Sequence, residues 1–82
     1  MARRFEPQPD LGRAIRQLRL ARDLTQRELA RQADVHPTWL SHLEAGRVNP
    51  SWGTVRRIAI ALNLRLSELA AEAEHPRCAE PP

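Results

Sequence analysis

The sequence predicts an all-α domain of five short helices, and three observations lead to this prediction. Apolar residues recur at helical spacing in five separate stretches between residues 11 and 73. Residues typical of helix ends, such as Asp, Gly, Asn and Ser, separate these stretches. No alternating β pattern, long-period repeat or Gly-rich phosphate loop is visible. A chain of 82 residues accommodates one small domain.

The first two helices are delimited by capping patterns. Asp10 is expected to cap the first helix, because its carboxylate can accept a free backbone amide there. Thr25 and Glu28 have the spacing of a capping box at the start of the second helix. In this motif the Thr25 hydroxyl accepts a hydrogen bond from the Glu28 amide, and the Glu28 carboxylate accepts one from the Thr25 amide. The apolar stripe of the first helix consists of Leu11, Ala14, Ile15, Leu18 and Ala21.

A very short turn is predicted between the second and third helices. It consists of Asp34 and Val35. The third helix is predicted over residues 37–45, with His36 as a weak cap and Pro37 at its first position. Gly46 is expected to end it.

Two further helices complete the predicted domain, which spans residues 10–74. Ser51 is a good cap for the fourth helix, and Asn63 can end that helix in a left-handed conformation. The fifth helix carries Leu66, Leu69, Ala70 and Ala73 at helical spacing.

The two ends of the chain have a different composition. Residues 1–9 contain Pro7 and Pro9 and are predicted to form a flexible arm, while residues 75–82 are predicted to be a disordered tail. The single cysteine, Cys78, lies in this tail, so no disulfide within the chain is expected. Without disulfides, a signal peptide or an apolar span, a cytoplasmic location is expected.

The charge distribution indicates an anionic partner. All 13 basic residues are Arg, and residues 1–57 hold eleven of them against six acidic residues. Residues 58–82 hold two against four. Arg binds phosphate and guanine bidentately, which suits nucleic acid. A genomic bias towards Arg would explain the missing Lys equally well, but not the asymmetry.

The predicted second and third helices form a helix-turn-helix unit. A connection this short forces the helices to cross steeply, and the third helix can then enter the major groove of DNA, which is roughly 12 Å wide. Several motifs in this region and beyond it stand in a specific order and spacing. They are Leu24-Thr25-Gln26-Arg27-Glu28-Leu29-Ala30, Val35, Leu40-Ser41-His42-Leu43-Glu44-Ala45-Gly46-Arg47, Asn49-Pro50-Ser51 and Ile58-Ala59-Ile60-Ala61-Leu62.

In this pattern the sequence resembles the Xre/Cro/cI-type helix-turn-helix family of transcriptional regulators, from about Leu11 to Ala70. The resemblance implies a compact five-helix lambda-repressor-like domain that binds double-stranded DNA, usually as a dimer on an inverted repeat. It also implies a structural ion pair between Arg19 and Glu44, which fixes the presentation of the recognition helix. Because members of this family usually carry Gly where Asp34 stands, the resemblance further implies a left-handed conformation at Asp34, which Asp tolerates better than most residues.

The predicted interface has two parts. Thr38, Ser41 and His42 point away from the apolar face of the third helix and are the candidate base contacts, with solvated polar residues as the alternative. Pro37 stands where some relatives carry a base-reading Gln. The candidate contacts to the DNA backbone are Gln26, Trp39, Arg47, Asn49 and Ser51. For Gln26 and Arg47 this role is implied by the resemblance to the family. For Trp39 a half-buried place at the edge of the core is an equal alternative.

Several functional classes remain open at this stage. A homodimer is expected, with the fourth and fifth helices as its surface. Leu64, Leu66 and Leu69 add apolar area there, unless these leucines only close the core. A phage-type or autoregulatory repressor, a restriction–modification controller and an antitoxin with a toxin partner all suit the chain. A protein-interaction module without a DNA role is a further alternative.

An enzyme is not expected. His36 and His42 are six residues apart, a spacing that does not place them on the same face of a helix. No catalytic constellation, metal-ligand set or cofactor motif is visible.

Overall fold

The structure, a computed structural model, describes residues 9–74 and contains five α-helices in that range with no strand. The all-α, five-helix prediction is therefore confirmed. The helices are α1 (Pro9–Ala21), α2 (Gln26–Ala33), α3 (Pro37–Glu44), α4 (Trp52–Ala61) and α5 (Leu66–Glu74). None of these helices is long and apolar enough to cross a membrane.

One hydrophobic core joins all five helices. α1 packs against α3 and α5, while α2 packs against α3 and α4. α3 therefore lies between α1 and α2, and its position is set by two neighbours. The core residues are Ala14, Ile15, Leu18, Leu29, Ala30, Ala33, Leu40, Leu43, Ile58, Ala59, Leu62 and Leu69.

The start of α1 differs from the sequence-based expectation. Pro9 is the first residue of α1, so it does not belong to the predicted arm. Asp10 lies inside the first turn, where its carboxylate accepts a hydrogen bond from Arg13 at 3.1 Å, and does not cap the helix. A carboxylate in this turn still favours the helix dipole. Residues 1–8 of the arm and the predicted tail 75–82, with Cys78, lie outside the described residues.

The predicted capping residues of α2 and α4 occupy their expected places. The Thr25 hydroxyl accepts the Glu28 amide at 3.0 Å, and the Thr25 amide donates to Glu28 at 2.8 Å. The Ser51 hydroxyl accepts the Thr54 amide at 3.1 Å. These local contacts satisfy amides that a helix N-terminus otherwise leaves unpaired.

Left-handed residues make the tight turns. Asp34 has φ 60° and ψ 49°, and its amide donates to carbonyls at the end of α2. Asn63 has φ 61° after α4. Asp23, between α1 and α2, has φ 55°. The predictions for Asp34 and Asn63 are confirmed, since short polar side chains tolerate this conformation.

The leucines predicted for a dimer surface have mostly another role. Leu69 is fully buried, and Leu64 and Leu66 are half-buried and packed against the core. Leu69 is inaccessible because α5 packs on α1 and turns this side chain inward. The prediction that Leu69 contributes to a dimer surface is wrong. Ile60 on α4 is 66% exposed instead.

Candidate nucleic-acid interface

The helix-turn-helix unit consists of α2, the turn at residues 34–36 and α3. Pro37 begins α3, and the His36 ring nitrogen Nδ1 accepts the Thr38 amide at 3.1 Å. Ala45 caps the C-terminus and Gly46 follows with φ 78°. The helix is thus one residue shorter than the predicted range.

α3 has two chemically distinct faces. Leu40 and Leu43 are fully buried against the core. The three candidate base contacts, Thr38, Ser41 and His42, are all exposed. Their side chains lie together on the outer surface of one short helix, within one turn of each other. This face offers two hydroxyls and one imidazole to a partner.

The C-terminal end of α3 is tied to α1 by a buried ion pair. Arg19 Nε donates to Glu44 Oε2 at 2.7 Å, and Arg19 Nη2 donates to Glu44 Oε1 at 3.0 Å. The side chains are only 9% and 3% exposed. Arg19 Nη1 donates to the Leu24 carbonyl at 2.8 Å, which connects the pair to the loop between α1 and α2. Two parallel bonds fix the direction of both side chains.

Gln26 joins this network. Its Nε2 donates to Glu44 Oε1 at 2.9 Å, and the side chain is partly buried. Gln26 is the first residue of α2, so the bond connects the start of α2 with the end of α3. The amide group of Gln26 therefore already has a partner within the protein. Sequence reasoning missed this contact, because nothing local signals a bond between residues 18 positions apart.

The other candidate backbone contacts occupy different environments. Arg47 and Asn49 are exposed in the loop after α3. The Ser51 hydroxyl is engaged with Thr54, with 2.9 Å between the two hydroxyl oxygens. Trp39 is half-buried and packs against the core, as the alternative interpretation expected. Of the five candidates, Arg47, Asn49 and Ser51 are exposed, whereas Gln26 and Trp39 are partly buried.

Two glycine contacts place α3 close to α1. A Cβ atom on Gly12 would overlap the carbonyl oxygen of Leu43, so α1 and α3 approach each other more closely than any larger residue permits. A Cβ on Gly46 would lie 2.9 Å from the Cα of Pro9. The beginning of α1 therefore lies directly against the end of the recognition helix. Nothing in the sequence near Gly12 indicates this close approach, because it depends on how two whole helices pack.

α2 is also held from the side of α4. Arg57 Nε donates to the Ala33 carbonyl at 3.0 Å. The last carbonyls of a helix lack intrahelical partners, and a cation there also favours the helix dipole. Arg57 thereby stabilises the residue that precedes the left-handed turn at Asp34. No sequence pattern pointed to this role.

Residues 9–74 contain no group of three or more His, Cys, Asp or Glu side chains placed to hold a metal ion. The candidate site is thus a polar and basic protein surface. Its accessible groups are those of α3, the loop after it, and the free amides at the starts of α2 and α4.

Comparison with known proteins identifies the group to which this architecture belongs. A family model described as "Helix-turn-helix domain" matches residues 10–72. The chain belongs to this family. Its relatives place it among regulators of the Xre/Cro-like type, as the sequence motifs predicted.

Three curated relatives show the range of this group. The "Immunity repressor protein" of Bacillus phage phi105 is 36% identical over 62 residues, which are 76% of this chain and 43% of the relative. The "ImmF control region 10 kDa protein" of the same phage is 42% identical over 59 residues, 72% of this chain and 66% of the relative. "Control protein C.BamHI" of Bacillus amyloliquefaciens is 34% identical over 59 residues, 71% of this chain and 73% of the relative. The chain thus spans less than two thirds of the two phage relatives.

Solved structures with the same fold include two regulators. The clp gene regulator ClgR from Corynebacterium glutamicum matches with a TM-score of 0.80 and 34% identity. The match covers 82% of this chain and 71% of the ClgR chain. The restriction-modification controller protein C.AhdI from Aeromonas hydrophila matches with a TM-score of 0.73 and 30% identity. The match covers 74% of this chain and 92% of the C.AhdI chain. The family assignment and the five-helix fold therefore agree.

Proposed function

We propose that this chain is a DNA-binding transcription regulator whose helix α3 enters the major groove, with residues 10–74 as the DNA-binding domain. The observation that carries the proposal is the exposed polar face of α3 on a helix held at its far end by Arg19 and Glu44. A helix that reads bases must present its side chains in a fixed direction. The relatives named as repressor and control proteins support this function.

Contacts to the DNA backbone would set the register. Arg47 is exposed just after α3 and can reach a phosphate. The N-termini of α2 and α4 add free amides, which favour anions. Since Gln26 donates one amide hydrogen to Glu44, a second hydrogen of its Nε2 remains to bond a phosphate, and the ion-pair network would hold it in place.

Base recognition by this surface would be permissive. Ser and Thr hydroxyls both donate and accept, so Thr38 and Ser41 discriminate weakly between bases. His42 can donate to guanine N7 or O6. Pro37 offers no amide and no polar side chain. Part of the site preference would then come from the shape of the DNA.

We expect the chain to act as a homodimer on an inverted repeat. One module of this size contacts little DNA, and a two-fold dimer doubles the contacts at half-sites about one helical turn apart. Ile60 is 66% exposed and borders a surface groove with Leu64 and Glu68. Ile60→Glu should abolish dimers in sedimentation equilibrium. Leu20→Glu, at a position 51% exposed on α1, is the matched control and should leave them intact.

The regulatory outcome we favour is repression or autoregulation. Both curated names that state a role, immunity repressor and control protein, describe control of gene expression. We expect the concentration of the chain and its dimerisation to set its activity.

Selection of bound sites from random DNA, followed by gel shifts over a salt series, tests the function. We expect one half-site in two inverted copies, and affinity that falls linearly on a log–log plot against salt. The triple variant Thr38→Ala, Ser41→Ala, His42→Ala should lose the selected preference but keep salt-dependent binding. A protein that enriches no site and shifts no duplex at low salt would refute DNA binding and favour a protein-interaction role.

A further inference from the structure

An apolar groove lies between α1, α4 and α5, and includes none of the candidate base contacts. Its volume is about 420 Å³, within the range of roughly 300–1,000 Å³ typical of occupied pockets. Most of its surface comes from aliphatic side chains and one indole. The lining residues are Asp10, Leu11, Asn49, Pro50, Trp52, Val55, Leu66, Leu69, Ala70, Ala73 and Glu74.

Trp52 makes this groove unusual for the surface of a small domain. Trp52 is the first residue of α4, and it is 69% exposed. This exposure is notable because a Trp side chain has a large apolar area that is usually buried. It forms one wall of the groove, and the fully buried Leu69 lies in the same lining. An apolar segment placed here would cover Trp52 and pack against the partly buried side chains of Leu11, Val55 and Leu66.

The chain itself enters the domain beside this groove. Asp10 and Leu11 are part of the lining, and the preceding Pro9 lies against Gly46. The described part of the chain therefore begins at the edge of the groove, and residues 1–8 precede it in the sequence. Phe5 is the only Phe of the sequence and stands four residues before Pro9. An extended chain of that length reaches about 13–14 Å.

Charge and backbone stiffness favour the same occupant. The groove lining holds two carboxylates, Asp10 and Glu74, and no basic side chain. Arg3 and Arg4 immediately precede Phe5. Pro7 and Pro9 restrict the unbound backbone, which lowers the entropy lost on docking.

We propose that residues 1–8 dock onto their own domain, with the Phe5 ring in this groove beside Trp52 and with Arg3 and Arg4 towards Asp10 and Glu74. The segment at the other end of the chain, residues 75–82, follows Glu74, which also lines the groove, but it contains no Phe, Trp or Tyr. Docking would hold the arm against the protein next to the end of α3. This docking proposal does not depend on whether the chain binds DNA.

Nuclear magnetic resonance of the full chain without DNA tests this proposal. In the wild type we expect nuclear Overhauser contacts between the Phe5 ring and the methyl groups of Leu11, Val55 and Leu66. Phe5→Ser should remove these contacts and shift the groove methyl resonances. Gln8→Ser, a matched polar change in the same segment, should shift them far less.

Fluorescence quenching gives a second measurement that does not depend on resonance assignment. In a Trp39→Phe background, Trp52 is the only fluorophore of its kind. Acrylamide quenching of Trp52 should rise when Phe5→Ser is added and stay unchanged with Gln8→Ser. Equal quenching in all three proteins would overturn the proposal.

The remaining outcomes identify other occupants and also overturn it. Contacts seen only between labelled and unlabelled chains in a mixed sample would mean that a second copy fills the groove. Groove shifts on deletion of residues 75–82, with none for Phe5→Ser, would point to the C-terminal segment. Absent groove contacts together with a lower salt slope of DNA binding for Arg3→Ala, Arg4→Ala would place the arm on DNA.

Discussion

Arg19 and Glu44 form a buried, two-bond ion pair that joins α1 to the end of α3. Charges removed from water are costly unless their partners are well placed, and breaking such a pair on one side costs about 3–5 kcal/mol. Here Gln26 and the Leu24 carbonyl provide further bonds to the pair. The geometry of the recognition helix thus depends on a network of four residues from three parts of the chain.

The first prediction concerns this pair. Glu44→Ala leaves the buried guanidinium of Arg19 without its carboxylate, and we expect a loss of about 3–5 kcal/mol in the free energy of unfolding. For a domain of this size, each kcal/mol lowers the melting temperature by roughly 4–8 °C. Urea unfolding followed by circular dichroism measures the free energy of unfolding, and a thermal melt measures the melting temperature.

The exposed pair of Asp10 and Arg13 provides the control for that experiment. Its side chains are 70% and 42% exposed, so Asp10→Ala should change stability by less than about 1 kcal/mol. Equal stability losses in Glu44→Ala and Asp10→Ala would contradict a special role for the buried pair.

The second prediction compares two glycines in helices. Gly12→Ala places a methyl group against the Leu43 carbonyl, and we expect it to destabilise the domain by about 1–3 kcal/mol, as overpacking does. Gly53→Ala meets no atom within 4 Å and should raise stability by about 0.4–1 kcal/mol through lower backbone entropy of the unfolded chain. Thermal melts of the two variants should therefore move in opposite directions. Shifts of the same sign would show that α1 and α3 can move apart freely.

The third prediction concerns the neighbouring residues Arg57 and Arg56. Arg57→Ala removes the bond to the Ala33 carbonyl at 3.0 Å, and a bond with a charged partner contributes about 1.5–3 kcal/mol. Because Arg57 is largely exposed, we expect a loss near the lower end of that range or below it. Arg56→Ala removes the same charge from an exposed neighbour on α4 and should have little effect. Chemical denaturation of both variants checks this, and indistinguishable midpoints would exclude the capping role.

The fourth prediction concerns the proposed DNA interface. Arg47→Ala should weaken binding to all duplexes alike and reduce the slope of log affinity against log salt by about 0.9, which corresponds to one phosphate contact. Arg16→Ala removes an exposed charge on α1 and should preserve the slope. Filter binding or fluorescence anisotropy over several salt concentrations measures it. An unchanged slope for Arg47→Ala would place that residue away from the phosphates.

Local features of this fold could be predicted from the sequence, because their causes lie within a few residues. The capping box of Thr25 and Glu28 and the left-handed Asp34 follow from side-chain chemistry at known positions. The predicted range of α3, residues 37–45, exceeds the observed helix by one residue, which is within the uncertainty expected at helix ends.

Contacts between distant residues could not be derived in this way. Gln26 with Glu44 and Arg57 with Ala33 depend on how whole helices pack, and their sequence separations are 18 and 24 residues. Leu69 matched the pattern of a helix with spare apolar surface, but packing of α5 on α1 buried it. The partnership of Arg19 and Glu44 came from family resemblance rather than from spacing.

The separation of the two faces of α3 has a consequence for how this domain can change its target. Leu40, Leu43 and Glu44 hold the helix from behind, while Thr38, Ser41 and His42 are exposed and carry none of that packing. Substitutions at the three exposed positions should therefore cost little folding free energy. Related proteins could therefore evolve different DNA-site preferences through changes at these three codons alone. In a combinatorial library at the three positions, most variants should stay folded while differing in the DNA sites that they prefer.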